Sequence, residues 1–287
     1  MILRLLSFIA CRTPEAWISP LGRFFGMLWY HAVPYRRSVM RQNLARAFSE
    51  LERRSREALC KSACMHLLLA LLEFLRIPRH AANRFADVLR VEGLEHYRAA
   101  QAKGLGVLCL TGHLGSFEIA ASGIAARLEG EPIALVVKSF PRGTDRFVTS
   151  LRALSKLRMI PARGGMRDIL ASLARKEAVV LVLDQNATRK RGVFVDFFGE
   201  PACTLSALAL VALRTKAPVI ATASWREPDG THVLRVYPEI PLDPRGSRKA
   251  TIRHMTQVYT RFIEARIREH PEQWLWTHRR WKTRPVR

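Results

Sequence analysis

Cysteine is scarce and unpatterned in this chain. The five thiols, Cys11, Cys60, Cys64, Cys109 and Cys203, are odd in number and form no Cys-x-x-Cys pair, which excludes a disulfide framework and the common zinc signatures. Reduced, cytosol-facing chemistry is the expectation. Cys60 and Cys64 stand four apart on an expected helix near His66, a spacing open to a shared metal, although buried thiols are the commoner use. Acidic residues are also short: 24 Asp plus Glu face 47 Lys plus Arg, leaving a formal net charge of +23. Such an excess concerns partners rather than fold, and nucleic acid, an anionic membrane surface or an acidic or phosphorylated carrier would all be drawn to it. A generally basic proteome would leave the same mark.

Long unbroken apolar runs are missing as well. MILRLLSFIA and then AWISPLGRFFGMLWYHAVPY are apolar and aromatic, but Arg4, Arg12, Glu15 and Arg23 interrupt them, with Pro20 and Gly22. Neither reaches the ~18 uncharged apolar residues that mark a spanning helix, and no small-residue cleavage pattern follows to make a signal peptide. Two readings stand for this end. One is an interfacial anchor over residues 1–35, with Trp17, Phe24, Phe25, Leu28, Trp29 and Tyr30 dipping into lipid and Arg23, Arg36, Arg37 and Arg41 against headgroups. The other is a helix packed on the core.

What the chain has is length and apolar content: 287 residues, 48% hydrophobic, enough for a substantial core in one large domain or a domain with a helical appendage. Met40, Leu44, Phe48 and Leu51, then Leu59, Ala63, Leu67, Leu71 and Phe74, recur at three-to-four spacing on either side of ERRSRE, which predicts a helical hairpin over 36–80 closed by Ile77-Pro78. Beyond residue 81 the rhythm changes. Short apolar runs at 105–111, 132–138, 178–184, 218–225 and 232–240 alternate with helical stretches at 116–127, 144–157, 166–176, 204–216 and 247–269. Unbroken Val/Ile/Leu strands separated by helices predict an α/β domain over 81–287, with a mostly parallel central sheet flanked by helices and an N-terminal helical hairpin in front of it.

The chemistry concentrates in TGHLGSFE, residues 111–118. In one continuous helix His113 and Glu118 would stand about 140° apart around the axis, at ~100° per residue. Across a break they can meet: a strand ending at Thr111, a turn through Gly112 and Gly115, and a helix capped near Ser116 place the imidazole at the carboxyl end of a parallel strand, where open α/β sheets keep their crevices. A carboxylate on one ring nitrogen leaves the other free to take a proton from a hydroxyl. A plain turn histidine, with Glu118 placed favourably at a helix N-terminus, is the alternative.

HLGSFE resembles the His-x4-Asp/Glu signature of the lysophospholipid acyltransferase superfamily, and four further blocks resemble, in order, the bacterial lipid A late (lauroyl and myristoyl) acyltransferases: YRRSVMRQNLARAF, RMIPARGGMRDIL, LDQNATRKRGVFVDFFGEPACT and PEQWLWTHRRWKTRP. The likeness runs from Leu21 to Pro285. It implies transfer of an acyl chain from an acyl carrier protein or coenzyme A thioester to a hydroxyl of an anionic membrane lipid, a lipid A precursor above all, on the cytoplasmic side of a Gram-negative inner membrane. His113 would be the general base and Glu118 its orienting acid, with no metal, organic cofactor or nucleic acid required.

Asp184, ending AVVLVLD, should open on the same sheet edge, as a second partner for the imidazole, an acceptor contact or a turn cap. Arg163 matches an arginine of the related enzymes and suits phosphate, while Gly164 and Gly165 either admit a ligand closely or make a tight turn. GVFVDFF reads as a strand with an aromatic face, lining an acyl groove or packing in the core, and Thr204 as the cap of the next helix. The Trp/Arg tail reads as a lipid interface, a base-stacking surface or a core seal. The chain departs from the related enzymes in its broken amino end, and the acceptor stays open: lysophospholipid, glycolipid and polyene-type lipids are the alternatives, with a basic nucleic-acid-binding protein as the reading from another class.

Overall fold

The structure is a computed structural model that describes residues 2–33, 35–128, 130–138 and 142–286. It opens with α1 (Ile2–Arg12), α2 (Glu15–Ala32), α3 (Arg37–Ala47) and the long α4 (Arg53–Leu75). The hairpin exists as α3 against α4, but the main partner of α4 is α2. Gly22 and Gly26, one turn apart on α2, make that pairing possible: a Cβ on Gly26 would fall 2.2 Å from the Met65 Cα, and one on Gly22 2.8 Å from the Leu69 Cα. Two helix backbones touch because neither glycine holds them apart. Fully buried Arg76 locks the corner, donating to the carbonyls of Ala10 and Thr13 at the end of α1 and pairing with Glu15 of α2 at 2.5 Å. Tyr30, expected against lipid, is buried here, and its hydroxyl accepts from Arg41. α4 ends just before Ile77-Pro78, which starts the short α5 (Ile77–Ala81), with proline in the first turn where its missing N–H costs nothing.

The α/β body follows: β1 (Leu89–Glu92), α6 (Leu94–Gln101), β2 (Val107–Thr111), α7 (Phe117–Arg127), β3 (Ile133–Val137), α8 (Arg142–Ala153), β4 (Arg158–Pro161), α9 (Met166–Ala174) and β5 (Ala178–Val182). Then come the hairpin β6 (Gly192–Phe197) and β7 (Glu200–Leu205), α10 (Ala207–Thr215), β8 (Val219–Arg226), β9 (His232–Glu239) and α11 (Arg248–Glu269). Seven strands form one sheet in the order β1-β9-β8-β2-β5-β3-β4, parallel at every junction except β8/β9. Val107, Leu108 and Leu110 of β2 are sealed between helices on both faces, as a parallel sheet requires.

One open alternative is decided and two expectations change. The aromatic strand is β6, and of its two readings core packing holds: Phe197 and Phe198 are buried against Trp281, Trp276 and Phe48. Thr204 is a fully buried residue of β7, and Ser206 precedes α10 instead. The tail is not a lipid or base-stacking surface: Trp274, Trp276 and Trp281 are core residues, together with Arg280, because burying three large aromatic bodies is worth more than wetting them.

The α2/α4 contact gives a direct test. Gly26→Leu should lower stability by about 1–3 kcal/mol through overpacking, read as a lower denaturant midpoint at unchanged slope.

Candidate active site

β2 ends at Thr111 and the chain turns sharply before α7. The turn needs Gly115, which sits at φ +61 and against β8, where a Cβ would come within 2.6 Å of the Ser224 carbonyl oxygen. Three bonds pin it: Gly115 N–H to the Gln273 carbonyl, Leu275 N–H to the His113 carbonyl, and Ser224 Oγ to the Leu114 carbonyl. Ser116 does not cap α7 with its side chain; its hydroxyl donates to Glu73 of α4, whose other oxygen accepts from Arg226 of β8 at 2.8 Å.

His113 stands on this turn with its ring 18% exposed. Its Nδ1 lies 2.8 Å from Asp184 Oδ1, while its backbone N–H donates to Oδ2 at 2.8 Å and Trp274 Nε1 donates to the same oxygen at 2.7 Å. Asp184 follows β5, the parallel neighbour of β2, in register Thr111 to Val182. Burial pushes the His113 pKa down, but the charge and hydrogen bond of Asp184 outweigh it and leave the imidazole above its ordinary value. Burial likewise opposes ionisation of Asp184, and the facing imidazole with the other donors holds it well below the usual carboxylate range. Asp184 thus accepts the hydrogen bond from Nδ1–H, which leaves Nε2 as the acceptor nitrogen of the ring.

That nitrogen opens on a cavity of about 850 Å³. Its polar lining includes His113, Glu118, Lys138, Arg152 and Gln185, and the remainder is largely apolar, from Ile124 of α7 and Leu128 just after it across Ile133 and Ile220 of the sheet to Tyr97 of α6. An imidazole with a fixed tautomer at the edge of a greasy cavity can deprotonate a hydroxyl beside a hydrocarbon chain. Residues 2–283 match the family model described as bacterial lipid A biosynthesis acyltransferase. The chain belongs to that family. It is 27% identical over 270 residues to the lipid A biosynthesis palmitoleoyltransferase of Escherichia coli K12, covering 93% of this chain and 85% of that one. It is 24% identical over 283 residues to the lauroyltransferase of the same organism, covering 97% and 89%. A phosphatidylinositol mannoside acyltransferase of Mycobacterium tuberculosis is 29% identical over 215 residues, covering 73% and 66%.

In this acyltransferase Glu118 does not orient the histidine. The first turn of α7 aims its carboxylate at α8, where Arg152 grips it bidentately through Nε at 3.0 Å and Nη2 at 2.5 Å. Asp184, one strand over, reaches the ring instead, and Glu118 acts on His113 only through its charge. Arg163 is exposed on the cavity rim. Gly164, at φ +78 with open space where a Cβ would be, serves the turn into α9 and does not line the cavity.

The cavity edge also brings together residues that carried no functional mark. Arg152 lies in an ordinary amphipathic stretch, and Trp274 was one indole among three in the tail. Gln185 was legible only as the neighbour of Asp184. Its Nε2 lies 3.3 Å from His113 Nε2, and its Oε1 accepts from Lys138 Nζ at 2.9 Å. The tail braces this segment: His278 Nε2 accepts from the Asn186 N–H at 3.0 Å, Thr283 bonds the Asn186 side chain, and Arg280 donates to the carbonyls of Gln185 and Cys203. Burial pulls His278 down to about 4, so it stays neutral and can accept. Burial also pulls Arg280 down to about 10, partly offset by Asp184.

NMR titration of ring-labelled protein should find His113 titrating above the ordinary ~6.5 of histidine. In Asp184→Asn that titration should move downward, because the charge that outweighs burial is gone.

Proposed function

We propose that this acyltransferase moves a fatty acyl chain from an acyl carrier protein or coenzyme A thioester to a hydroxyl of a lipid A precursor, with His113 as general base. The observation that carries the reading is His113 Nε2, the unprotonated acceptor nitrogen of a ring whose Nδ1 proton Asp184 holds, at the edge of the 850 Å³ apolar cavity. That volume lies in the ~300–1,000 Å³ range of sites that bury a small ligand, and an acyl chain suits its walls. The acceptor O–H gives its proton to Nε2 as its oxygen attacks the thioester carbon. The tetrahedral intermediate then collapses, the C–S bond breaks, and the thiolate takes the proton back from Nε2. Asp184 stabilises the imidazolium in between. An acyl-enzyme on Cys109, a thiol in the cavity wall, is disfavoured because burial pushes it up to about 12, so it stays protonated and unreactive.

Arg163 and Arg191 on the cavity rim suit a phosphate of the donor arm or the acceptor. The shared element in the names of the relatives is a glycolipid, lipid A in some and phosphatidylinositol mannoside in others, which favours a glycolipid hydroxyl over a simple lysophospholipid.

The interfacial anchor over 1–35 is supported by a run of exposed apolar side chains on α1 and α2, among them Ile2, Phe8, Trp17 and Phe24, each at least half exposed. That face and the +23 charge support attachment to an anionic membrane surface, in keeping with the cytoplasmic side of the inner membrane. Among the described residues α4 alone is long and apolar enough to cross a membrane. Its buried Glu73, bonded to Ser116 and Arg226 of the α/β body, favours a helix held within the protein. The nucleic-acid reading loses its aromatic platform, since the tail indoles lie in the core.

The test is acyl transfer from lauroyl-acyl carrier protein to a tetra-acylated lipid A precursor. His113→Ala should lose about 10²–10⁴-fold in kcat/KM while keeping the circular dichroism spectrum of the folded wild type. A base must be neutral, so activity should fall as pH drops through the raised His113 pKa, placing the acid limb above ~6.5. Transfer to phosphatidylinositol mannoside but not to the lipid A precursor would refute the acceptor, and an active His113→Ala would refute the base.

A further inference from the structure

We propose that Gln185 is the oxyanion-stabilising donor of the transfer reaction, its side-chain amide N–H donating to the thioester oxygen as negative charge develops there. This rests on the base role given to His113 above.

The amide has one self-consistent orientation. Lys138 carries only donors, so the group it meets at 2.9 Å must be the amide oxygen, and the amide nitrogen is left 3.3 Å from His113 Nε2. Asp184 holds the proton-bearing Nδ1, so Nε2 accepts and the amide donates. Lys138, Gln185, His113 and Asp184 form a chain in which every donor points the same way. A cation on the amide oxygen polarises the group and makes its N–H a stronger donor.

The placement matters once substrate arrives. Nε2 has a single lone pair, and the acceptor hydroxyl must take it. The amide N–H then loses its partner within a few ångströms of the carbon under attack. As the new C–O bond forms, the carbonyl π pair moves onto oxygen, and the freed N–H lies beside it. Gln185 neither gains nor gives up a proton. Lys138 and Arg152, cations in the same cavity wall, are already engaged with Gln185 and Glu118. The backbone of Gln185 is fixed in advance: its carbonyl accepts from buried Arg280, and its neighbours Asp184 and Asn186 are held by Trp274, His278 and Thr283. Such preorganisation is what makes an oxyanion donor effective.

A residue that merely steadied the imidazole would behave differently. Its N–H favours neutral His113, so its loss would raise the histidine pKa, shift the acid limb upward and leave the high-pH plateau intact. Kinetics are run with lauroyl-acyl carrier protein and whichever of a tetra-acylated lipid A precursor or phosphatidylinositol mannoside the wild-type chain acylates faster. Gln185→Met, similar in size and without a donor, should lower the plateau kcat about 10²–10³-fold, with the donor KM within a few-fold. Lys138→Met, at an exposed position, should lower the same constant by a smaller factor. A plateau within tenfold of wild type in Gln185→Met, or a loss confined to the acid side, overturns the proposal. Should Gln185→Met fail to fold by circular dichroism, an unchanged kcat in Lys138→Met overturns it instead. Activity surviving in His113→Ala marks failure of the base reading rather than of this one.

Discussion

The bond between His113 Nδ1 and Asp184 is the constraint around which the rest of the site is arranged. A fully buried carboxylate is unfavourable unless its oxygens are satisfied. Here one oxygen takes the ring proton, and the other takes a backbone N–H from the same histidine and the Trp274 indole. That grip sets the tautomer, the ring angle and the basicity together. Two neighbouring parallel strands supply the pair, so its spacing comes from the ladder between β2 and β5.

Much of the molecule serves to keep that spacing. The carboxyl-terminal tail threads back under the active-site edge, where Trp274 reaches Asp184 and the chain around it bonds the histidine turn on either side. His278, Arg280 and Thr283 then secure the segment after Asp184. Arg280 is fully buried, its two terminal nitrogens bonded to carbonyls and the Thr204 hydroxyl, and its guanidinium lies over Phe197 at 4.8 Å. Burying a guanidinium is costly in isolation, and the ionised Asp184 nearby helps to keep it charged.

The five apolar runs and the helices between them were legible because a strand buried on both faces needs an unbroken Val/Ile/Leu sequence. The edge strands β1 and β4, four residues each, were not. LRVE and RMIP mix charge with apolar residues, and their assignment comes only from pairing with β9 and β3. The histidine turn was readable from its glycines. Its acid was readable only as the second candidate: the five-residue spacing put Glu118 first, while Asp184, 71 positions away, was expected at the same sheet edge and meets the ring through the sheet. Arg152, which takes up Glu118, had no signature in sequence. The tail gave the opposite difficulty: indoles among arginines read as a surface, and only packing shows that the aromatic bodies face inward while most of the charged heads stay in water.

Glu73 occupies an unusual position. It belongs to α4, the helix clasped by α2, and yet it bonds the hydroxyl of Ser116, three residues from His113, and Arg226 on the far side. The clasped pair α2 and α4 and the turn that carries His113 are therefore joined through one buried carboxylate, so the seat of the amino-terminal helices and the seat of the imidazole are set together.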